Sequence, residues 1–456
     1  MHRHKFFHRS LPTGAVTALA LAAVLALVLP AGAQEKPQAE SHRDGKTYAI
    51  RGVKIITLAG PAVDKGNIVI RDGRIVAIGA DAAIPSDAEV LEASGLEAYP
   101  GMFDSVDQIG LEEVDAVAAT VDSRELGEFN PQLTAATAVH PASEHIPVTR
   151  AAGITHVLTA PSVGGFGGGG GIILGQASLI NLAGWTLDQM LVRRSAAIVV
   201  SWPSLNTRSF DFSTFSFKER PFAEAKKEYE KKVQELTDFF EEARHYEQAV
   251  AKGSAQDYTR DLKLEAMIPV LEGKLPLLIH AERAREIRGA VEFCDKEKVR
   301  MILADGAEAM KVVDLLKAKN IPVILGPTMR LSDNEDDPYD KFYTLPSDLQ
   351  KAGIRFAIAS FDLMFVRRLP QQAGNAVAYG LSHDDGLKAV TLYPAQILGL
   401  DKDLGTLETG KMANIMITNG DPLELRTEVK YLYINGRPTS TDNKHKELYE
   451  KYRKRP

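Results

Sequence analysis

Short runs in which apolar and polar residues alternate lie near both ends of this chain. The N-terminal runs are YAIRGVKIITL (48–58), NIVIRDGRIVAIG (67–79) and EVLEASGLEAYPG (89–101). The C-terminal runs are ANIMITNGDP (413–422) and VKYLYINGRP (429–438). Asp72-Gly73 and Asn435-Gly436 are typical hairpin turn pairs within these runs. The pattern predicts one small β-sandwich built by both chain ends, from residues 47–99 and 404–437.

The middle of the chain, residues 100–403, alternates continuous apolar runs with helical patterns. The apolar runs are EAYPGMF (97–103), ITHVLTA (154–160), SLINLAG (178–184), AAIVVSW (196–202), PLLIHA (276–281), VRMILA (299–304), IPVILG (321–326) and IRFAIAS (354–360). Such strands imply a parallel sheet that is covered on both faces. Eight of them predict an α/β fold with a (β/α)8 barrel, whose chemistry lies at the C-terminal ends of the strands. A doubly wound open sheet is the alternative.

Two insertions interrupt this alternation. Apolar residues spaced by three or four positions predict one long amphipathic helix over residues 219–253. That helix either packs on its own barrel or acts as a lid or a dimer contact. The glycine run Gly164–Gly171 lacks the residues of a phosphate-binding loop or a dinucleotide fingerprint, and it predicts a mobile loop near the barrel mouth.

The N-terminal segment has the pattern of a secretory signal peptide. A basic head precedes the apolar stretch Gly14–Leu29, and Ala31-Gly32-Ala33 forms a small-residue exit. The apolar stretch is shorter than the roughly 20 residues of a membrane span. We therefore expect cleavage after residues 1–33 and secretion across the inner membrane into a periplasm. A flexible leader over 34–46 then precedes the folded part, and residues 438–456 form a charged tail.

Composition narrows the class of protein further. Hydrophobic residues make up 45% and charged residues 25% of the chain, as in a soluble globular enzyme. Cys294 is the only cysteine, so neither an intrachain disulfide nor a thiolate metal cluster can form. The net charge of −6 is too small to suggest nucleic acid or an anionic membrane as a partner.

The order of several short motifs resembles the amidohydrolase superfamily, in its imidazolonepropionase-related and prolidase-like branch. The run Pro100-Gly101-Met102-Phe103-Asp104 matches the family's entry to the first barrel strand. The barrel exit matches at residues 369–382, 389–395, 405–411 and 420–423. The resemblance covers residues 48–437, implies the barrel and sandwich fold, and makes a homodimer the usual assembly, although the sequence leaves the oligomeric state open. Within the exit, Ser382 followed by Asp385 predicts a helix capping box.

The resemblance also implies where a metal centre would be. Family members hold one or two divalent ions with a His-x-His pair at the end of strand 1, histidines ending strands 5 and 6, and an aspartate ending strand 8. Such an ion lowers the pKa of bound water to about 7. The strand 8 aspartate takes the proton from that water.

This chain departs from that ligand set. Val106 and Gln108 stand at the two strand 1 positions, and Asp305 replaces the strand 6 histidine. His280 after strand 5 and Asp362 after strand 8 match the family. Alternation along a strand predicts that Asp104, Val106 and Gln108 face one way and Asp107 the other.

The remaining residues predict at most one divalent ion, Zn, Mn or Fe, bound by His280, Asp305 and Asp362, or none. His280 could instead be a hydrogen-bonded core histidine, and Asp305 could cap a helix beginning at Ala307. Asp362 could be half of a structural pair. Arg283 either orients a substrate carboxylate or is a charge on a helix face.

The function expected from these features is hydrolysis of a carbon–nitrogen bond other than an ordinary peptide bond. Asp362 would act as general base, Gln108 and Arg283 would bind a small-molecule substrate, and cyclic amides, acylated amino acids and Xaa-Pro dipeptides remain open. The first alternative is a metal-free, inactive protein of the same fold that binds a small ligand or a partner. The second is a scaffold protein that uses the 219–253 helix as its contact.

Overall fold

The computed structural model describes residues 45–162, 171–211, 214, 216–252, 260–332 and 334–455. Its strands are β1 Thr47–Ile55, β2 Val63–Arg71, β3 Arg74–Gly79, β4 Glu89–Glu92, β5 Glu97–Pro100, β6 Met102–Asp107, β7 Ile154–Thr159, β8 Ile173–Asn181, β9 Leu191–Ser201, β10 Arg208–Asp211, β11 Ser216–Glu219, β12 Leu277–Ala281, β13 Met301–Asp305, β14 Val323–Leu325, β15 Phe356–Ile358, β16 Ile415–Thr418, β17 Val429–Ile434 and β18 Arg437–Thr439. The predicted signal peptide, almost all of the leader and Gly164–Gly170 lie outside the described residues.

The α-helices are α1 His145–Arg150, α2 Leu187–Met190, α3 Phe222–Ala251, α4 Leu262–Leu271, α5 Ala284–Glu297, α6 Val313–Ala318, α7 Lys341–Ala352, α8 Leu369–Ala378, α9 His383–Ala389, α10 Leu392–Ile397 and α11 Lys444–Tyr452. Short 3-10 helices cover Ala118–Thr120, Ala135–Ala138, Ala309–Val312 and Val366–Arg368. Among the described helices, none has the length and apolar character required to cross a bilayer.

Both chain ends build one small β domain, as predicted, although its strands form one sheet and not the two sheets of a sandwich. Its strands follow the order β18-β17-β16-β5-β1-β2-β3, with β4 also paired to β1, in a single mixed sheet. Ile50 and Ile70 from the N-terminal part share a buried cluster with Ile415 and Tyr433 from the C-terminal part. The two ends are therefore hydrogen-bonded to each other and enclose a common apolar core.

The eight apolar runs of the middle region contribute the eight strands of a nearly closed barrel. The strand order is β6-β7-β8-β9-β12-β13-β14-β15, which confirms the barrel prediction and not the doubly wound alternative. One strand departs from the expected parallel arrangement, because β8 runs antiparallel to both β7 and β9. The β7–β8 and β8–β9 connections therefore do not need crossover helices, whereas β12 to β15 are parallel throughout.

Alternate residues of the barrel strands belong to two separate buried clusters. Leu278 and Ile302 lie in one cluster together with Val106 of β6. Their neighbours Ile279 and Leu303 lie in the other, which includes helix residues. The first cluster therefore fills the barrel interior, and the second joins the strands to the surrounding helices.

A glycine separates the small sheet from the barrel within the single predicted run 97–103. Gly101 lies between the end of β5 and the start of β6. A Cβ atom at this position would lie 2.3 Å from the side chain of Thr155 on β7. The chain can pass this close to β7 only because residue 101 has no side chain.

The long insertion contains the predicted helix, α3. Its buried residues include Leu236, Phe240 and Ala243. Phe240 packs edge-on against Phe293 of α5, with the ring centroids 5.1 Å apart, and Arg244 forms an ion pair with Glu297. The apolar face of α3 is therefore covered by the barrel's own helices, as in the first of the two sequence interpretations.

Candidate active site at the barrel mouth

Three of the predicted site residues lie at one end of the barrel. His280 is the penultimate residue of β12, Asp305 is the last residue of β13, and Asp362 follows the end of β15. In the β12–β13 ladder, Ala281 is directly beside Asp305. Because β12, β13, β14 and β15 are parallel, their carboxyl ends meet at this end of the barrel, which we call the mouth.

The His280 side chain lies against an aromatic ring at the mouth. The imidazole meets the ring of Phe361 edge to face, with centroids 5.2 Å apart. Burial lowers the pKa of His280 to about 3, because a charged imidazolium would be poorly solvated there. His280 is therefore neutral at neutral pH, with one ring nitrogen able to donate a hydrogen bond and the other able to accept one.

Asp305 ends β13 in an unusual backbone conformation. Its φ of 72° lies in the left-handed region, which costs a non-glycine residue about 1 kcal/mol. Its carboxylate extends over Gly326, where a Cβ atom would lie 3.3 Å from Oδ1. The segment after Asp305 forms no helix at Ala307, and the 3-10 helix that follows has Glu308 at its N-cap. The interpretation of Asp305 as a helix cap is therefore wrong.

The partner of Asp305 is an arginine from the segment after β14. Arg330 Nη1 lies 3.3 Å from Asp305 Oδ1, and the two side chains are partly exposed, at 23% and 16%. The Arg330 guanidinium lies over the ring of Phe342, 4.1 Å from its centroid. An ion pair and a cation–π contact thus hold this guanidinium beside the end of β13.

Asp362 is partly exposed in the turn that follows β15. Its Oδ1 accepts a hydrogen bond of 2.9 Å from the backbone N–H of Met364. Its negative charge also contributes to the raised pKa of Asp107. Asp362 therefore lies close to β6 as well as to the mouth. The sequence analysis offered a structural pair as the alternative role of Asp362, and the partner seen here is the backbone N–H of Met364.

The described residues do not fit the metal centre implied by the resemblance. Across the described ranges, no group of three or more His, Cys, Asp or Glu side chains is arranged to hold a metal ion. The Asp305 carboxylate contacts a guanidinium, and Val106 lies among apolar side chains inside the barrel. The three candidate ligands share one end of the barrel without forming a ligand set, so we assign no metal-dependent step to them.

A second group of polar residues joins the first and last barrel strands. Ser360 Oγ lies 2.5 Å from Asp104 Oδ2 and 2.6 Å from Asp107 Oδ2, and Ser360 N donates to Asp104 Oδ1 at 3.1 Å. Phe361 N donates to the carbonyl oxygen of Val106. These bonds close the barrel at the seam between β6 and β15. We call Asp104, Asp107 and Ser360 the seam cluster.

The seam cluster contains two carboxyl groups in a fully buried place. Asp104 and Asp107 are 0% exposed. A hydroxyl has one proton and can donate to only one carboxylate at a time, so the second short contact requires a proton on a carboxyl group. Burial raises the pKa of Asp104 to about 7, and burial together with the charge of Asp104 raises that of Asp107 well above its usual value.

The position of Asp107 corrects the argument from strand alternation. Asp107 contacts the same serine as Asp104, although strict alternation places them on opposite faces. The β6–β7 pairing has an irregular register between Asp104 and Asp107, as in a β-bulge. Such an irregularity changes the direction of the side chains that follow it.

The two predicted substrate-binding residues lie at the mouth and beside it. Gln108 follows β6 directly and is partly exposed. Arg283 is exposed at the N-cap of α5 and lines a cavity of about 560 Å³. Lys311 and Lys341 line the same cavity, together with Glu282 and Glu308.

Two residues of this site were missed by the sequence analysis. Ser360 belongs to an apolar run, and its contacts with Asp104 and Asp107 span more than 250 residues. Arg330 belongs to a segment without a motif. No local pattern identifies either residue, although two acidic residues in the apolar strand β6 are a signal that some polar partner is required.

Comparison with known families and sequences gives a consistent result. A model of the Amidohydrolase family matches residues 192–441, which is more than half of the chain. The match begins after Val106 and Gln108, where this chain departs from the strand 1 ligands. The amidohydrolase tasK of Hapsidospora irregularis is 22% identical over 82% of this chain and 39% of its own length. An imidazolonepropionase of Yersinia pseudotuberculosis is 28% identical over 31% of this chain and 34% of its own length. The chain thus spans less than two fifths of these relatives.

Solved structures share the fold. An amidohydrolase from Thermotoga maritima superimposes with a TM-score of 0.73 at 23% identity, over 86% of this chain and 99% of the other. A prolidase in complex with N-methylphosphonate-L-proline gives a TM-score of 0.52 at 14% identity, over 87% of this chain and 100% of the other. At these identities the likeness concerns the fold alone.

Proposed function

The chain belongs to the amidohydrolase family, and we propose that it hydrolyses a carbon–nitrogen bond of a small molecule at the barrel mouth. The observation that carries this proposal is the pair His280 and Asp362: His280 lies near the end of the fifth strand and Asp362 follows the eighth, at the same end of the barrel. Both are the residue types that the family uses at these places. Cyclic amides, acylated amino acids and Xaa-Pro dipeptides are the substrate classes to test.

In this proposal Asp362 is the general base. Its carboxylate takes a proton from a water molecule whose oxygen attacks the carbonyl carbon of the substrate. The carbon–nitrogen bond then breaks, and the leaving nitrogen receives the proton from Asp362. Neutral His280 donates a hydrogen bond to the carbonyl oxygen, on which negative charge develops. Gln108 and Arg283 bind the remainder of the substrate.

The test is a screen of these three substrate classes with wild type and Asp362→Asn. We expect at least about a hundredfold loss of kcat in the variant, because the amide cannot accept the proton. The matched control is Asp384→Asn, since Asp384 is an exposed residue of α9 that pairs with Lys388. If Asp362→Asn keeps wild-type turnover, Asp362 is not the base. His280→Gln tests the second role in the same assay.

A second function has a specific observation in its favour. The residues at the strand 1 positions cannot replace the His-x-His pair, and the described part of the chain contains no three-residue metal-ligand group. These features support a metal-free protein of the same fold that binds a small ligand without turnover. Saturable binding of a screened compound, unchanged after long incubation with wild type, would support this function over hydrolysis.

We further propose that the protein is secreted across an inner membrane and acts in a periplasm on a small molecule, as a homodimer. The basis of the location is the signal-peptide pattern of residues 1–33. Mass analysis of protein recovered from a periplasmic fraction should show an N-terminus after Ala33. Recovery of uncleaved protein from the cytoplasm would contradict this location.

A further inference from the structure

We propose that two copies of this chain pair through the surface around Trp185, with the indole of each copy entering a cavity on the other. This inference rests on the proposed function only in taking the protein to be a homodimer, and it names the surface that the two copies share. The cavity has a volume of about 520 Å³ and is lined by Trp185 together with Pro141, Pro147 and Pro438. We call these four residues the Trp185 patch.

The cavity lies at the end of the barrel opposite to the mouth. β7, β9 and β12 run towards the mouth, whereas β8 runs the other way, so the β8–β9 connection is at the opposite end. The cavity walls come from this connection, from α1 and the segment before it, and from the β17–β18 hairpin. Changes to the patch therefore leave the residues of the mouth in place.

Trp185 is held at the surface by the turn that carries it. It is 92% exposed, the largest value for a large apolar residue in the described ranges. The backbone N–H of Trp185 donates to Gln189 Oε1 at 2.8 Å. A Cβ atom at Gly184 would lie 2.7 Å from Cγ of Met190, which is fully buried. The β8–β9 connection is thus a tight turn anchored in the core, and the indole projects from it.

An exposed tryptophan beside a cavity has the character of a protein–protein contact. Tryptophan is enriched among the residues that dominate binding energy, and an aromatic side chain buries about 150–250 Å². A stable interface covers about 800 Å² of each partner, so one indole supplies about a quarter of that area. Because the indole and the cavity belong to one surface, two copies related by a twofold axis can bury both indoles at once.

The cavity also contains a cation whose described hydrogen-bond partners are neutral. Arg150 lines the cavity. Its Nε donates to the carbonyl oxygen of Ser440 at 3.0 Å, and its Nη1 donates to that of Leu182 at 3.3 Å. The carboxylate of Asp442 acts on this guanidinium through its charge, without a hydrogen bond in the described chain. The guanidinium can therefore accept a carboxylate from a partner.

The projecting turn carries such a carboxylate. Asp188 lies three residues after Trp185, is exposed, and forms no ion pair with the residues that the structure describes. In the proposed dimer, Asp188 of one copy faces Arg150 of the partner subunit. Glu144 and Arg437 also line the cavity, so the surface has both signs of charge. Such a surface is complementary to itself, which favours a second copy over a ligand of one sign.

The experiment measures the dissociation constant of the dimer by sedimentation equilibrium for wild type, Trp185→Asp and Leu126→Asp. Leu126 is the matched control, because it is 89% exposed in the segment after β6, which leaves the barrel at the mouth. We expect at least about tenfold weaker association of Trp185→Asp, and an association of Leu126→Asp within about twofold of wild type. Equal effects of the two substitutions, or a wild type that stays monomeric, would overturn the proposal.

Tryptophan fluorescence gives a second readout without a disruptive substitution in the patch. Trp185 and Trp202 are the two tryptophans of the chain. Trp202 is 5% exposed, and its indole N–H donates to the Tyr229 hydroxyl at 3.3 Å. The variant Trp202→Phe therefore reports on Trp185 alone. As the protein concentration rises through the dissociation constant, we expect a blue shift of the emission and weaker quenching by acrylamide. A dimer in which acrylamide reaches Trp185 as easily as in the monomer would contradict the proposal.

A charge reversal tests how the two copies are arranged. Asp188→Lys places a second cation opposite Arg150, so we expect at least about tenfold weaker association at low salt. Asp81→Lys is the matched control, since Asp81 is an exposed aspartate after β3, at the other edge of the sheet from β18. Equal dissociation constants for the two variants would overturn the proposed arrangement.

These measurements separate the inference from the proposed function. A dimer that is insensitive to Trp185→Asp keeps the homodimer and removes this surface, whereas a protein that stays monomeric contradicts both. Hydrolysis is independent of either outcome, since His280 and Asp362 lie at the other end of the barrel. Loss of turnover in Asp362→Asn with an unchanged dissociation constant would support the general base and leave the dimer intact.

Discussion

The barrel has acidic residues in two places, at the seam and at the mouth, and the two places differ in how the acidic side chains are stabilised. At the seam, Asp104 and Asp107 are fully buried around one serine hydroxyl, without a basic residue among their hydrogen-bond partners in the described chain. At the mouth, Asp305 is partly exposed and contacts the guanidinium of Arg330. A proton shared between carboxyl groups stabilises the first arrangement, and an opposite charge stabilises the second.

The difference shows that residue type does not decide the electrostatic role of an aspartate. Burial favours the protonated form at the seam, since a carboxylate without a cation is poorly solvated there. At the mouth, the Arg330 guanidinium places an opposite charge beside the Asp305 carboxylate. The seam cluster therefore has a structural role, because its hydrogen bonds join β6 to the segment that follows β15.

The largest expected effect is the loss of a seam carboxyl group. Asp104→Ala removes the acceptor of Ser360 N and one of the two carboxyl partners of Ser360 Oγ, and it leaves the buried N–H without a partner. We expect a decrease of about 3 kcal/mol in the free energy of unfolding, measured by urea denaturation. Asp305→Ala should cost only about 1 kcal/mol, because its pair is partly exposed. Equal costs at the two sites would mean that the seam bonds contribute no more than the ion pair.

The next effect is a dependence of stability on pH. The folded state binds the seam proton more tightly than the unfolded state does, since the pKa values of Asp104 and Asp107 are raised. Stability from this source is complete below the ordinary carboxyl pKa and is lost as the pH rises towards about 7, by about 1.4 kcal/mol for each unit of pKa difference.

Asp107→Asn checks this dependence, because an amide remains neutral and can still donate to Ser360 Oγ. We expect a flatter stability curve for the variant between pH 4 and pH 7 than for wild type. The buried histidines His156 and His280 have lowered pKa values and produce the opposite trend, with stability lost as the pH falls. Their contribution is common to both proteins, so the difference between the two curves isolates the seam. Parallel curves would rule out a seam proton.

The smallest effect concerns the strength of the mouth pair. A double-mutant cycle of Asp305→Asn and Arg330→Met should give a coupling free energy of about 1 kcal/mol or less at low salt. High salt should reduce this coupling, because the two side chains are partly exposed. The cost of Asp104→Ala should not change with salt, since the seam is inaccessible. If salt leaves the coupling between Asp305 and Arg330 unchanged, this pair is as well shielded from solvent ions as the seam cluster.

Much of the fold follows from local sequence patterns. The apolar runs predicted all eight barrel strands, and the terminal alternating runs predicted the joint β domain. The N-cap bond of the predicted capping box is present as well, since Ser382 Oγ accepts from the N–H of Asp385 at the start of α9. The antiparallel direction of β8 was not predicted, because an apolar run has the same composition in either direction.

The sequence predicts which residues occupy the strand ends at the site, but not the directions in which their side chains extend. The resemblance places His280, Asp305 and Asp362 at the ligand positions of strands 5, 6 and 8, and the ends of parallel strands meet at one end of a barrel. Whether they form a ligand set depends on side-chain directions at those ends. The φ of Asp305 and the irregular register of β6 set these directions, and neither follows from composition or periodicity.

The sequence by itself determined the family, the barrel with its joint β domain and the absence of histidines at the strand 1 positions. Only the tertiary structure decided that Asp107 joins Asp104 and Ser360, and that Asp305 meets Arg330 and not a group of metal ligands. The physical reason is distance along the chain. Strand formation depends on the pattern of nearby residues, whereas the ionisation and partners of a buried aspartate depend on side chains that approach it from other strands.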